Sequence, residues 1–355
     1  MRDFGGMIER TPAAVVRPSS ARDVAAAVRD VPGIVARGLG HSSAGQSLAD
    51  AGVIDMRGLA SVHEVRDGTV TAGAGITWRE LLDATLPHRL TPPVLTDHLD
   101  LTVGGTLSAG GIGGASHVHG TQAANVRALE VVTPAGEIVT CSASERAALF
   151  DAVRGGMGRH GVITRVTLPL VRAPEYVLSY RARLATAAEL IQAQYDLRAD
   201  HVAGQFKAGG YEIRAVLYEG TSPPAGMRPD EVEEIPYLDF ADRMRPDVAE
   251  LRALGEWERP HPWATLLLPA ARAAPFIETT LDAITPADLG TSGVVIVKRF
   301  SPGWVPMLRA PSDTVLFGLL RTASPGCRPA GEMSAANQVL HERVAALGGA
   351  PYPPR

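Results

Sequence analysis

The stretch Arg37-Gly38-Leu39-Gly40-His41-Ser42-Ser43-Ala44-Gly45-Gln46 decides how this chain is read. Glycines at 38 and 40, directly after the apolar run from Gly33 to Ala36, expose consecutive backbone N–H groups, which suits a pyrophosphate. The spacing is not the dinucleotide GxGxxG, because Ser43 stands where the third glycine belongs and no helical pattern follows. A histidine inside such a loop is unusual. Its local sequence leaves two readings open, a loop histidine bonded to backbone or a group aimed at the ligand.

A second glycine cluster lies downstream, in Leu95-Thr96-Asp97-His98-Leu99-Asp100-Leu101-Thr102-Val103-Gly104-Gly105-Thr106-Leu107-Ser108-Ala109-Gly110-Gly111-Ile112-Gly113-Gly114. So many glycines imply a backbone pressed against something flat or charged, and the interleaved Val103, Leu107 and Ile112 argue that it is buried. Thr102, Thr106 and Ser108 offer hydroxyl donors to phosphate oxygens. No Walker lysine is present, which excludes an NTP-cradling P-loop. Asp97 taken alone reads as a turn or cap residue as readily as a base. In His117-Val118-His119 no third ligand accompanies the pair, so a structural role is the better reading and no metal site is expected.

Outward from these stretches, the first half is dense in strands. Ala14 to Arg17 and Gly33 to Ala36 read as strands, with a helix capped by Ser19 and Ser20 between them. Val53 to Met56, Val62 to Val65 and Thr69 to Ala72 follow, the last two joined by an Asp67-Gly68 hairpin turn. Thr77 can cap a helix to Leu86. Ala128 to Thr133 and Ile138 to Cys141 form another hairpin, Ser144 opens a helix, and Val162 to Leu170 closes the region. The pattern changes near Pro169 to Pro174. Beyond it, Tyr176 to Leu184, Glu212 to Tyr218, Thr265 to Leu268 and Val294 to Lys298 read as an antiparallel sheet. Helical periods run near Ala187 to Leu197 and Ala274 to Ile284, and loops at 221–230 and 324–331. The expectation is an α+β protein of two domains, residues 1–172 and 173–355.

The bulk properties agree. The 355 residues suffice for two domains of roughly 100–200 each. Hydrophobic residues make up 45% and charged residues 20%, with a formal net charge of -4, so there is no electrostatic case for a nucleic-acid partner. Cys141 and Cys327 stand alone, with no zinc-like spacing. No apolar stretch reaches the ~18 residues of a membrane helix, and no secretory h-region is visible, so a cytoplasmic location without membrane partners is expected.

Taken in order, RGLGHSSAGQS, LTDHLDLTVGGTLSAGGIGG, HGTQAANVRALEVVTPAGEIVTCS and HGVITRVTLPL resemble the FAD-binding domain of the vanillyl-alcohol oxidase (PCMH-type) superfamily, most closely in cytokinin dehydrogenases. The resemblance covers about residues 3–170. Tyr237-Leu238-Asp239-Phe240-Ala241-Asp242-Arg243 and His261-Pro262-Trp263 are similar to that family's substrate domain. The resemblance implies an FAD-dependent oxidoreductase with a small-molecule substrate, the flavin joined through its 8α-methyl to His41. It implies cofactor contacts from Gly38, Leu39, Gly40, Ser42 and Gln46, from Thr102, Ser108 and Ile112, and from Ile163. Asp97 matches the aspartate that accepts the substrate's proton as hydride passes to flavin N5. Asp100 stands where doubly tethered relatives carry a cysteine, so a single tether is expected. Two departures keep other readings open. Thr265 replaces an asparagine of the plant-like pattern, which leaves room for an alcohol or sugar oxidase. Relatives also continue past the equivalent of Arg355, which leaves room for a flavin-binding remnant without turnover.

Overall fold

The computed structural model describes residues 1–207 and 209–353. It opens with a small parallel sheet in which Val53–Asp55 lies between Val15–Val16 and Val35–Arg37. The connecting helix Ala21–Asp30 starts where Ser20 and Asp23 satisfy each other's backbone N–H groups in a capping box. Val24, Ala25 and Ala27 fall on one face of it and pack against Ile54, Met56, Val132 and Val162.

An antiparallel sheet of five strands follows, in the order Val62–Arg66, Thr69–Gly73, Val162–Pro169, Ala128–Val132, Ile138–Ser142. Its first hairpin turns on Asp67 and Gly68, both left-handed (φ 51° and 69°), the conformation a two-residue turn between twisted strands requires. Helix Trp78–Thr85 is closed at its start by a Thr77/Glu80 capping box. The Trp78 indole donates to Thr106 Oγ1 at 2.9 Å, tying that helix to Val103–Ala109.

The rest is built on eight antiparallel strands in the order Glu231–Pro236, Tyr176–Leu184, Gly210–Leu217, His201–Lys207, Val294–Phe300, Thr314–Leu320, Ala264–Pro269, Ala350–Pro351. One face, including Ile213, Ala215, Val297 and Phe317, buries against helices Ala187–Asp196, Ala270–Asp282 and Ala330–Ala346. Side chains alternate across a strand. The opposite face, with Val216, Ile296, Phe300 and Leu316, therefore meets Val103, Leu107 and Ile163 of the first half in one shared core. The α+β class is as expected. No described helix is long and apolar enough to cross a membrane.

Several elements were not anticipated. Helix Val103–Ala109 contains Gly104 and Gly105, among the poorest helix formers, and Gly104 lies so close to Ala74 that a Cβ would stand 2.8 Å from the Ala74 methyl, which accounts for the glycine there. Strand Thr314–Leu320 is buried on nearly every residue and carries no alternation to betray it. Helix Ala330–Ala346 begins inside the stretch taken as a loop, and buries Asn337 and His341 among its apolar contacts, which breaks the stripe.

Candidate active site

The loop after Val35–Arg37 is shaped by the N-terminal segment. The Asp3 carboxylate accepts from the Gly45 amide at 2.6 Å and the Ser42 hydroxyl at 3.0 Å. The amides of Phe4 and Gly5 donate to the carbonyls of Gly40 and Ser42, and Gly5 in turn accepts from the amide of His261 in the second half. Gly40 and Gly45 take left-handed φ of 73° and 77°. The Gln46 side chain accepts from the Ala44 amide at 2.9 Å, and Leu39 is partly exposed. The amides of Leu39, Gly40, His41, Ser42 and Ser43 find no acceptor among the described residues.

His41 lies flat on Phe4, rings 4.0 Å apart and 18° from parallel, and His261 stacks on the other side of Phe4 at 4.2 Å. His98 is 5.2 Å from His41. Burial pushes the His41 imidazole down to about 3, with His98 and His261 adding to the shift, so it is neutral near pH 7. Neither of its ring nitrogens is hydrogen-bonded among the described residues.

Gly38 brings the two glycine-rich stretches together, since a Cβ there would stand 2.1 Å from the Thr102 hydroxyl oxygen. Thr102, Ile112 and Ile163 are buried in the shared core. The Ser108 hydroxyl is spent on the Gly104 carbonyl at 2.8 Å. The glycines of this segment are explained mainly by protein neighbours. An added Cβ would meet Gln122 at Gly111, the Leu95 carbonyl at Gly113 and the His201 ring at Gly114, all within 2.2 Å. His117 sets its two ring nitrogens 2.8 and 2.9 Å from the carbonyls of Gly114 and Ala199, a structural placement.

Asp97 lies one residue from His98, on the loop that faces the second half. Arg243 donates to its Oδ1 and Lys298 to its Oδ2. Burial alone would raise its pKa, but Lys298 and Arg243 outweigh that and hold the carboxyl well below the usual range. Beside it is a small pocket bounded by Leu95, His201, Tyr218, Tyr237 and Arg243. His201 is kept neutral, first by burial and then by Arg243, and its Nε2 has no partner among the described residues. A larger cleft lies along the 38–46 loop, bounded by Ser43, Gln46, Trp263, Thr265, Asn337 and Tyr352. Tyr352 accepts from the Gly111 amide at 3.2 Å.

These residues fit a flavin. A neutral histidine, a run of amides without acceptors and a cleft beside them lie at one junction, and the buried Asn337 Oδ1 lining that cleft is also unpaired. Sequence reasoning missed the partners of Asp97. Arg243 lay in a motif already recognised, whereas Lys298 was marked only by rarity, as one of two lysines.

Comparison with known proteins agrees. Residues 12–142 match the family model described as FAD binding domain, and residues 230–334 the model described as cytokinin dehydrogenase 1, FAD and cytokinin binding. The chain is 40% identical to the uncharacterized oxidoreductase ORF5 in the fasciation locus of Rhodococcoides fascians, over 99% of this chain and 86% of that protein. It is 33% identical to cytokinin dehydrogenase 7 of Oryza sativa subsp. japonica, over 91% and 75% of the two chains. With cytokinin dehydrogenase 4 of Arabidopsis thaliana the identity is 32%, over 83% and 70%. The chain belongs to the cytokinin dehydrogenase family of FAD-dependent oxidoreductases.

Proposed function

We propose that this enzyme oxidises a secondary amine of cytokinin type at the C–H next to nitrogen, with Asp97 as the base and the flavin tethered to His41. The observation that carries the reading is a half-buried carboxylate, held ionised by Lys298 and Arg243, one residue from a histidine that stands 5.2 Å from His41. FAD, when bound, supplies the hydride acceptor at its N5. The residues of the chain do the rest. Loop amides from 39 to 43 and Gly38 hold the pyrophosphate, with Ser42 and Gln46 shaping the turn. Thr102, Ser108 and Ile112 of the glycine-rich segment and Ile163 of the closing strand would contact the cofactor, and the neutral His41 nitrogen has the lone pair that a bond to the 8α-carbon needs. The boundary between the cofactor and substrate domains falls at 172/173 in this reading.

Asp97 takes the substrate's N–H proton. Its low basicity is tolerable because loss of hydride leaves the nitrogen cationic and its proton far more acidic. The imine then hydrolyses to an amine and an aldehyde. Thr265 in the larger cleft, where the plant-like pattern has asparagine, supports a second reading in which the same base serves an alcohol O–H.

The test is Asp97→Asn. The variant should keep its flavin while reduction by an N6-alkenyl adenine slows by ~10²–10⁴. Reduction at the wild-type rate, followed by flavin absorbance in stopped flow, would remove Asp97 from the base role.

A further inference from the structure

Thirty-four residues of this chain are Lys or Arg, and only Lys207 and Lys298 are lysine. Lys298 is also buried, at 5% exposure. It lies on strand Val294–Phe300, whose Val295 and Val297 enter the helix-side core, so alternation turns Lys298 to the face that meets the first half. There it binds a single oxygen of Asp97, and Arg243 binds the other. The further charged or titratable groups around this carboxylate are His201 from strand His201–Lys207 and Arg214 from strand Gly210–Leu217. On its own loop it is followed by His98 and Asp100.

A guanidinium fork tends to cover both oxygens of a carboxylate side by side, whereas an ammonium is a point charge that occupies one direction. In a chain that otherwise uses arginine, a buried lysine at this contact leaves lone pairs of Asp97 uncovered. We propose that Lys298 is a positioning residue, which pins the Asp97 carboxylate at one oxygen and keeps the remaining lone pairs open to the substrate's proton. The inference rests on the reading of Asp97 as the base. The same contact also keeps Asp97 charged, because the ammonium opposes the effect of burial.

Flavin reduction by an N6-alkenyl adenine, followed against pH in single turnover, tests the assignment. Lys298→Met should keep its flavin absorbance while the acid limb belonging to Asp97 moves up by ~1–3 pH units, the effect of losing one close opposite charge. Lys298→Arg retains the charge, so the limb should stay in place while the plateau falls, by up to ~10²-fold for a displaced group. If Asp97→Asn is slow but Lys298→Met matches the wild-type profile, the lysine assignment fails and the base assignment stands. If Asp97→Asn is not slow, both fail. Loss of flavin from Lys298→Met, Lys298→Gln and Lys298→Arg alike would overturn the proposal in favour of a lysine that only supports the fold.

Discussion

Burial acts on His41 and Asp97 in the same direction, toward the uncharged form, yet only His41 yields to it. His41 is surrounded by the neutral rings of Phe4, His98 and His261, whereas Asp97 has an ammonium and a guanidinium on separate oxygens. The fold thus keeps a neutral nitrogen at His41 and an anionic oxygen at Asp97. If the tether is His41, then His41→Ala should give a colourless pellet on acid precipitation of the flavin-loaded protein, where the wild type gives a yellow one. A yellow pellet from the variant would place the bond elsewhere. Both residues were legible in the sequence through the motifs around them. Their opposite charge states were not, because Lys298 lies 201 positions from Asp97 and only the folded sheet brings them together.

Among the elements, the contact between the 38–46 loop and Thr102, at the start of helix Val103–Ala109, is a tight constraint. Gly38 is not in a left-handed conformation, so its need for glycine is steric, with Thr102 the nearest obstacle. Gly38→Ala should therefore lower flavin content sharply, and adding Thr102→Ala should recover part of it, since the second change removes the colliding hydroxyl. Flavin-to-protein absorbance ratios for the two single variants and the double variant decide this, and no recovery would mean that the loop fails for another reason. Strand Tyr176–Leu184 and the capped helices Ala21–Asp30 and Trp78–Thr85 could be read from local signals, alternation in the first case and Ser/Thr with an acid three residues later in the others. Thr314–Leu320 and Ala330–Ala346 could not. A strand enclosed on both sides does not alternate, and a helix that buries Asn337 and His341 has no clean apolar stripe.

Across the whole molecule, the buried histidines set the response to acid. His41, His98, His117, His201 and His261 all have their pKa values lowered, in each case chiefly by burial. The unfolded chain takes up protons on these side chains below about 6.5, whereas the folded chain resists doing so, His41 until about 3. Folding therefore loses stability as pH falls through that window and gains it as pH rises. The melting temperature should decline steadily from pH 7 to pH 4, and a flat profile would show that these side chains are more hydrated than the fold indicates. Asp3, Phe4 and Gly5 carry one more consequence. They clasp the loop at 40–45 and reach His261, although the match to the FAD-binding family model starts at residue 12. A fragment cut at residue 12 would keep the loop and lose its clasp, so it should hold flavin more weakly than the full chain, which flavin-to-protein absorbance ratios of the two would show.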